Sequence, residues 1–115
     1  YEVPLLAHAC MEPMAATALV ADGRCQVWAP SQRQGAARDA AAQACGLPPE
    51  RVTLQGTFCG GGFGRKWEVD FVRHAVQLAA AAPGRPVALT WSREADLRGD
   101  YFRAPFACRM RGALG

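Results

Sequence analysis

At 115 residues, half of them apolar, the chain can bury the modest core of one domain, and its composition excludes a disordered tail. Its formal charge of +3 comes from thirteen basic residues, all arginine except Lys66, spread without the block that a nucleic-acid-binding arm needs, so no nucleic acid is expected as a partner. The longest apolar run, FVRHAVQLAAAAPG, is broken by Arg73 and His74 and stops at Pro83-Gly84, too short and too polar for a membrane-spanning segment.

In chain order, ATALVADGRCQVWA carries two β-prone runs around Asp22-Gly23, a strong hairpin signal, so Ala16 to Ala21 should pair with Arg24 to Ala29. SQRQGAARDAAAQACGLPP then offers Ser31 as N-cap, a stripe of Ala37, Ala40, Ala41 and Ala44, and Gly46 as stop before Pro48-Pro49, which predicts an alanine-faced helix. ERVTLQGTF alternates Val52, Leu54 and Gly56 with polar residues, the period of a strand, and runs into a glycine cluster. Trp67 to Ala82 is apolar on most faces and predicts a largely buried second helix in which His74 is a satisfied core histidine. VALTWS reads as a short strand, READLRGD as a solvated turn or a single helical turn, and YFRAPFACRMRG as a last strand. The expected fold is therefore α/β (α+β), ordered β-β-α-β-α-β, in a single domain over residues 1–115 that reads as an excised piece of a longer chain.

The five cysteines, Cys10, Cys25, Cys45, Cys59 and Cys108, lie far apart and lack the close pairs of a zinc or iron–sulfur site. They read as mostly buried small apolar residues. His8 and Glu12 would face each other only on a helix, and with Pro4 and Pro13 flanking them they read as structural hydrogen-bonding groups.

The stretch TFCGGGFGRKWEVDF concentrates the chemistry. Strand, glycine loop and helix can converge amide N–H groups on an anion. A P-loop is excluded because Trp67 stands where its hydroxyl residue belongs, and a dinucleotide fingerprint because its third glycine falls on Arg65 or Trp67. What is left is either a plain glycine turn with Phe63 in the core, or a tight Gly60-Gly61-Gly62 approach with Phe63 and Gly64 behind it, against which a flat ligand can touch backbone.

GGGFGRK resembles the GGGFG loop of the molybdenum hydroxylases, the xanthine dehydrogenase and aldehyde oxidase family. HACMEPMAATA, VWAPSQ and GRPVALTWSREADLRGDYFRAPF fall around it in that family's order. The pattern is most similar to large subunits of the isoquinoline 1-oxidoreductase type. The resemblance implies a molybdopterin-binding domain fragment whose cofactor-binding loop has Gly62, Phe63 and Gly64 facing the cofactor, with Gly60 and Gly61 permitting the close approach. That cofactor would be molybdopterin, in its cytosine dinucleotide form, with the metal held by the cofactor's sulfurs and by no protein side chain. It further implies hydroxylation of N-heterocycles or oxidation of aldehydes with oxygen from water, and electrons leaving through [2Fe–2S] clusters in a small partner subunit. Gln32 either contacts the cofactor region or caps the first helix; Arg65 and Lys66 either reach a phosphate of the cofactor or form a solvated pair; and Arg103 would be buried against a nearby acid.

Two positions depart from the xanthine dehydrogenases: Trp67 stands in place of the glutamate that orients a purine, and Leu6 in place of a glutamine beside the metal. The family's general base lies outside this stretch, so no catalytic residue is named, and the isolated piece is expected to be inactive without the rest of its large subunit. A stand-alone, non-redox module whose glycine loop holds a phosphate or another ligand, such as a partner peptide, is the rival reading. Localisation stays open, since such subunits can carry an upstream twin-arginine signal.

Overall fold

A computed structural model describes all 115 residues. The elements are β1 (Glu2–Val3), β2 (Ala15–Ala21), β3 (Arg24–Ala29), α1 (Gln34–Cys45), β4 (Val52–Gly56), α2 (Asp70–Ala81), β5 (Val87–Thr90), α3 (Arg93–Arg98) and β6 (Phe106–Ala107), with 3₁₀ turns at Pro49–Arg51 and Arg65–Trp67. The α/β fold and the element order expected from the sequence are present.

The hairpin forms where its turn chemistry put it. Asp22 and Gly23 both take left-handed backbone angles, φ 50° and 66°, as a two-residue turn matched to strand twist requires. β2 and β3 then pair in register from Ala21 opposite Arg24 to Thr17 opposite Trp28. β5 adds antiparallel to the outside of β2, and β4 adds parallel to β3 after the chain crosses through α1, giving the order β4-β3-β2-β5. α1 ends at Gly46, whose φ of 68° supplies the left-handed stop.

One face of this sheet is covered by both long helices. Ala16, Ala18, Cys25, Val27, Ala29 and Val52 point into a core shared with Ala37 and Ala41 of α1 and with Phe71, Val72, Ala75, Val76 and Ala79 of α2. The alanines of α1 let that helix lie close to α2, so a chain with few large aliphatics still fills its interior.

Four expectations change. Helix α1 begins at Gln34 with Arg33 in the cap position, because Pro30–Gln32 stay outside the helix and the Gln32 N–H is taken by the Lys66 carbonyl at 3.0 Å; Ser31 Oγ accepts only the Arg33 N–H. The second helix begins at Asp70, since Arg65–Trp67 wind into a tight 3₁₀ turn and Glu68 is extended. His74 faces outward and stacks on Trp91 at 5.7 Å, so it is no core histidine. The last strand shrinks to the two residues of β6, paired with β1, while READLRGD takes the helical of its two expected forms, as the six-residue α3 capped by Ser92 Oγ. From Tyr101 onward every residue is exposed, and this arm stretches the chain to 68 × 31 × 22 Å. No helix is long and apolar enough to cross a membrane.

Two helix glycines should respond oppositely to alanine. Gly35, inside α1 with open space around a Cβ, should gain about 0.5 kcal/mol as Gly35→Ala; Gly46→Ala should lose about 1 kcal/mol from its left-handed backbone. Urea midpoints moving in opposite directions would verify both.

Candidate functional site

The glycine loop leaves β4 and runs beside the segment that precedes β2. Three bonds set the register: the Gly60 N–H donates to the Glu12 carboxylate at 2.9 Å, the Met11 N–H to the Gly61 carbonyl at 3.0 Å, and the Cys10 thiol to the Gly62 carbonyl at 3.2 Å. Further along, Arg103 donates to the Phe63 carbonyl at 3.2 Å and the Trp67 N–H to that of Gly64 at 3.1 Å. Every carbonyl from Gly61 to Gly64 is thereby taken by the chain itself. No N–H from Gly61 to Gly64 donates to anything in the chain. Gly62 is buried, Gly61 and Gly64 are half-buried and Phe63 is exposed, so these four unused donors are open to solvent or to a ligand, and the buried one is the kind of backbone donor that is rarely left without an acceptor.

The backbone is strained to achieve this. Gly61 and Gly64 take φ of 88° and 103°, and Phe63 adopts 52°, a left-handed angle worth roughly 1–2 kcal/mol of strain for a residue with a side chain. Ala9, on the neighbouring segment, is bent likewise at 46°. A Cβ on Gly60 would sit 2.9 Å from Glu12 Cβ, on Gly61 3.2 Å from Met11 Cβ, and on Gly62 3.1 Å from Lys66 Cγ. These three glycines are thus needed by the chain's own packing beneath the loop.

Beneath lies a charged network. Arg65 and Lys66 are 1% and 0% exposed. The Arg65 guanidinium makes a two-pronged contact with Asp70 at 3.0 and 2.8 Å, donates to the Gly99 carbonyl at 3.2 Å, and sets Nε 3.1 Å from Asp100 Oδ1. That last contact is an ion pair without hydrogen-bond alignment. Trp91 and Tyr101 lie against the guanidinium with ring centroids 5.6 and 5.0 Å away. Burial works against the Arg65 charge, but the hydrogen bonds and charge of Asp70, followed by the charges of Asp100 and Asp96, outweigh it and hold its pKa above the ordinary arginine value. Lys66 pairs with Glu12, and this hydrogen bond, opposed by partial burial and helped by the Gly60 N–H, keeps the Glu12 carboxyl below its usual range. Burial first, then Asp96 and Asp100, push the Cys10 thiol up, so it stays protonated and can donate to Gly62.

Asp100 joins the two sides. Its carboxylate, 2% exposed, accepts the His8 backbone N–H, binds the His8 ring at Nδ1 at 2.9 Å, and faces Arg65. Arg93 clasps the same upstream segment by donating to the Cys10 and Met11 carbonyls while pairing with Asp96 at 3.0 Å.

The structure therefore gathers Gly60, Gly61, Gly62, Phe63 and Gly64 beside residues 8–12, with Phe63 half exposed and outside the core. Gln32 reaches the site through its backbone, and its exposed side chain has no hydrogen bond. The solvated-pair reading of Arg65 and Lys66 is corrected, since both are buried against acids. Contact between Arg65 and a phosphate would require the buried guanidinium to leave Asp70 and the Gly99 carbonyl. Asp96 and the side chain of Asp100 likewise are buried, against the expected solvated turn, while Arg103 is exposed and bonds Phe63 in place of an acid. His8 and Glu12 are not a pair; each has its own partner. Cys10 and Cys25 are buried, Cys45 is intermediate, and Cys59 and Cys108 are exposed, so burial of the cysteines holds for fewer than expected.

Glu12→Gln tests the clamp. With the Glu12 pKa lowered on folding, its contribution is present above the ordinary glutamate range of about 4.3 and is lost as pH falls below it. The glutamine variant should lose that acid-limb dependence and, with the buried Lys66 ammonium left without an opposite charge, be less stable at neutral pH by on the order of 2 kcal/mol. Urea unfolding across pH 3 to 7 measures both, with the pH limits set by that same reference value, roughly one unit below it and nearly three above.

The family described as the molybdopterin cofactor-binding domain matches residues 1–115. The isoquinoline 1-oxidoreductase subunit beta of Brevundimonas diminuta is 35% identical over 111 residues, 96% of this chain and 14% of that protein. The membrane-bound aldehyde dehydrogenase [pyrroloquinoline-quinone] of Gluconacetobacter polyoxogenes is 33% identical over 114 residues, 99% of this chain and 15% of that protein. The chain thus spans about one seventh of these relatives. The fold is shared with quinoline 2-oxidoreductase from Pseudomonas putida 86, at a TM-score of 0.71 and 24% identity over 84% of this chain and 12% of that one. It is shared equally with the aldehyde oxidoreductase of Desulfovibrio gigas, at 0.71 and 24% over 91% of this chain and 12% of that one. Matched along its whole length, the chain belongs to the molybdopterin cofactor-binding domain family.

Proposed function

We propose that the chain supplies the glycine-loop wall of the cofactor cleft in the large subunit of a molybdenum-dependent oxidoreductase acting on N-heterocycles or aldehydes. The observation that carries this reading is the run of four amide donors, Gly61 to Gly64, without an acceptor of their own. Such donors suit a cofactor whose oxygens, ring nitrogens and phosphates are acceptors. When bound, the cofactor supplies oxygen transfer from water and takes up two electrons.

The chain's own part is to present these amides rigidly. Arg65 and Lys66 act from below, fixing the loop through Asp70, Asp100 and Glu12, and Gln32, exposed next to Lys66, is a further candidate contact for the cofactor's edge. Phe63 and Met11, both exposed at the loop, and Phe58 before it, fully exposed, are apolar surface for the remainder of the large subunit to cover. The names of the two relatives, one an isoquinoline enzyme and one an aldehyde enzyme, favour these substrate classes, and the designation "subunit beta" favours a second subunit, which we assign as the [2Fe–2S] protein. The cytosine dinucleotide form of the pterin is part of the same proposal, as is the inactivity of the isolated piece, whose catalytic base belongs to the remainder.

The test is composition. The full parent subunit, co-expressed with its small partner, should carry one molybdenum and one pterin, release cytidine phosphate on hydrolysis, and reduce a dye with aldehydes or N-heteroaromatics. Metal-free protein, or protein carrying a quinone instead, would overturn the proposal. Gly64→Val, forced into a left-handed angle, should lose most of the bound pterin while the parent remains folded.

A further inference from the structure

The His8 ring is held by one nitrogen and left free at the other. Nδ1 lies 2.9 Å from Asp100 Oδ1, and since Asp100 also accepts the His8 backbone N–H, both ring position and rotamer are fixed from a carboxylate that is itself 2% exposed. A carboxylate on Nδ1 assigns the ring proton to that nitrogen and leaves Nε2 with a lone pair. Nε2 has no partner in the chain, yet it is not among the fully enclosed orphan atoms, which are Arg65 Nε and Asp96 Oδ1. The ring is 12% exposed, and what is reachable includes this nitrogen. It lies 3.5 Å from where a Cβ on Gly64 would stand, at the end of the four free amides.

The geometry points to His8 as a ligand-binding residue: its Nε2 accepts a hydrogen bond from an N–H or O–H of the group that lies on the Gly61 to Gly64 amides, with Asp100 as the residue that orients it. The loop then offers four donors and, at its end, one acceptor, a pattern that fits a ligand edge bearing acceptors beside a donor, as the amino and ring N–H groups of a pterin do. Gly64 is glycine on this account partly because any side chain there would stand between Nε2 and that ligand. This rests on the cofactor reading above.

Two amides separate a binding role from a structural one. Asparagine at this position can place its side-chain N–H near Nδ1 and keep the Asp100 bond while losing Nε2; glutamine can place a polar atom near Nε2. In the full subunit with its partner, His8→Asn should keep the wild-type urea midpoint but release pterin about threefold to tenfold faster under mild denaturant, the loss of one hydrogen bond. His8→Gln should recover most of that retention. His8→Phe, lacking both nitrogens, should lose pterin and stability together. Wild-type retention in His8→Asn, or a failure of glutamine to do better than asparagine, overturns the role of His8 while leaving the cofactor reading intact. Wild-type protein without molybdenum or pterin overturns the cofactor reading itself.

Discussion

The arrangement depends on one buried carboxylate. Asp100 holds His8, 92 residues away in sequence, by its main chain and its ring, and faces the guanidinium of Arg65 from the other side. Neither the upstream segment nor the glycine loop is a strand or a long helix, so no ladder of backbone bonds fixes their separation. Two neutral bonds, from the Met11 N–H and the Cys10 thiol to the loop carbonyls, set the local register, and charges do the rest of the fixing. Arg65 bridges Asp70 at the start of α2 to Asp100, and Lys66 bridges to Glu12, so two adjacent residues of the 3₁₀ turn tie the loop to two different parts of the chain. Charges so deeply enclosed contribute little net stability against a well-packed apolar alternative, but removing one partner leaves the other uncompensated. Such a network specifies position more than it stabilises.

That position matters because the loop uses its carbonyls and its amides differently. Its carbonyls face back onto Met11, Cys10, Arg103 and the 3₁₀ turn, and its amides are the groups left over. The glycines serve two distinct ends. At Gly60, Gly61 and Gly62 a Cβ would strike Glu12, Met11 or Lys66, so bareness lets the loop settle on the charged bed. At Gly64 the left-handed backbone and the nearby His8 ring are the constraint. The sheet contributes the rigid frame: β4 delivers the chain to the loop, and α2, packed on the shared core through Phe71 and Val72, carries it away.

Local features were legible in the sequence and distant ones were not. The Asp22-Gly23 turn and the Gly46 stop depend on single left-handed residues, and the alternation of Val52 and Leu54 on neighbours two positions apart, so a reading of adjacent residues suffices for them. The burial of Arg65 and Lys66 depends on Asp100 and Glu12, which no spacing rule connects to a glycine loop. Without those partners, two cations before a helix read as surface. The later start of α2 follows from the same cause, because the turn that buries the cations cannot also be helix. His74 misled because its helix has a single buried face and the ring falls on the other side, against Trp91. The importance of the loop itself came from family resemblance; residue chemistry alone left a plain turn equally open.

Amide hydrogen exchange across Gly61 to Gly64 addresses the central claim most directly, comparing the full subunit with its cofactor and stripped of it. The amides of Arg65 and Trp67, bonded to Gly62 and Gly64 within the chain, serve as internal references. The account predicts that the four loop amides exchange quickly in the stripped protein and slow by at least about tenfold when the cofactor is bound, with the references protected in both states. Equal rates for Gly61 to Gly64 in the two states would contradict it.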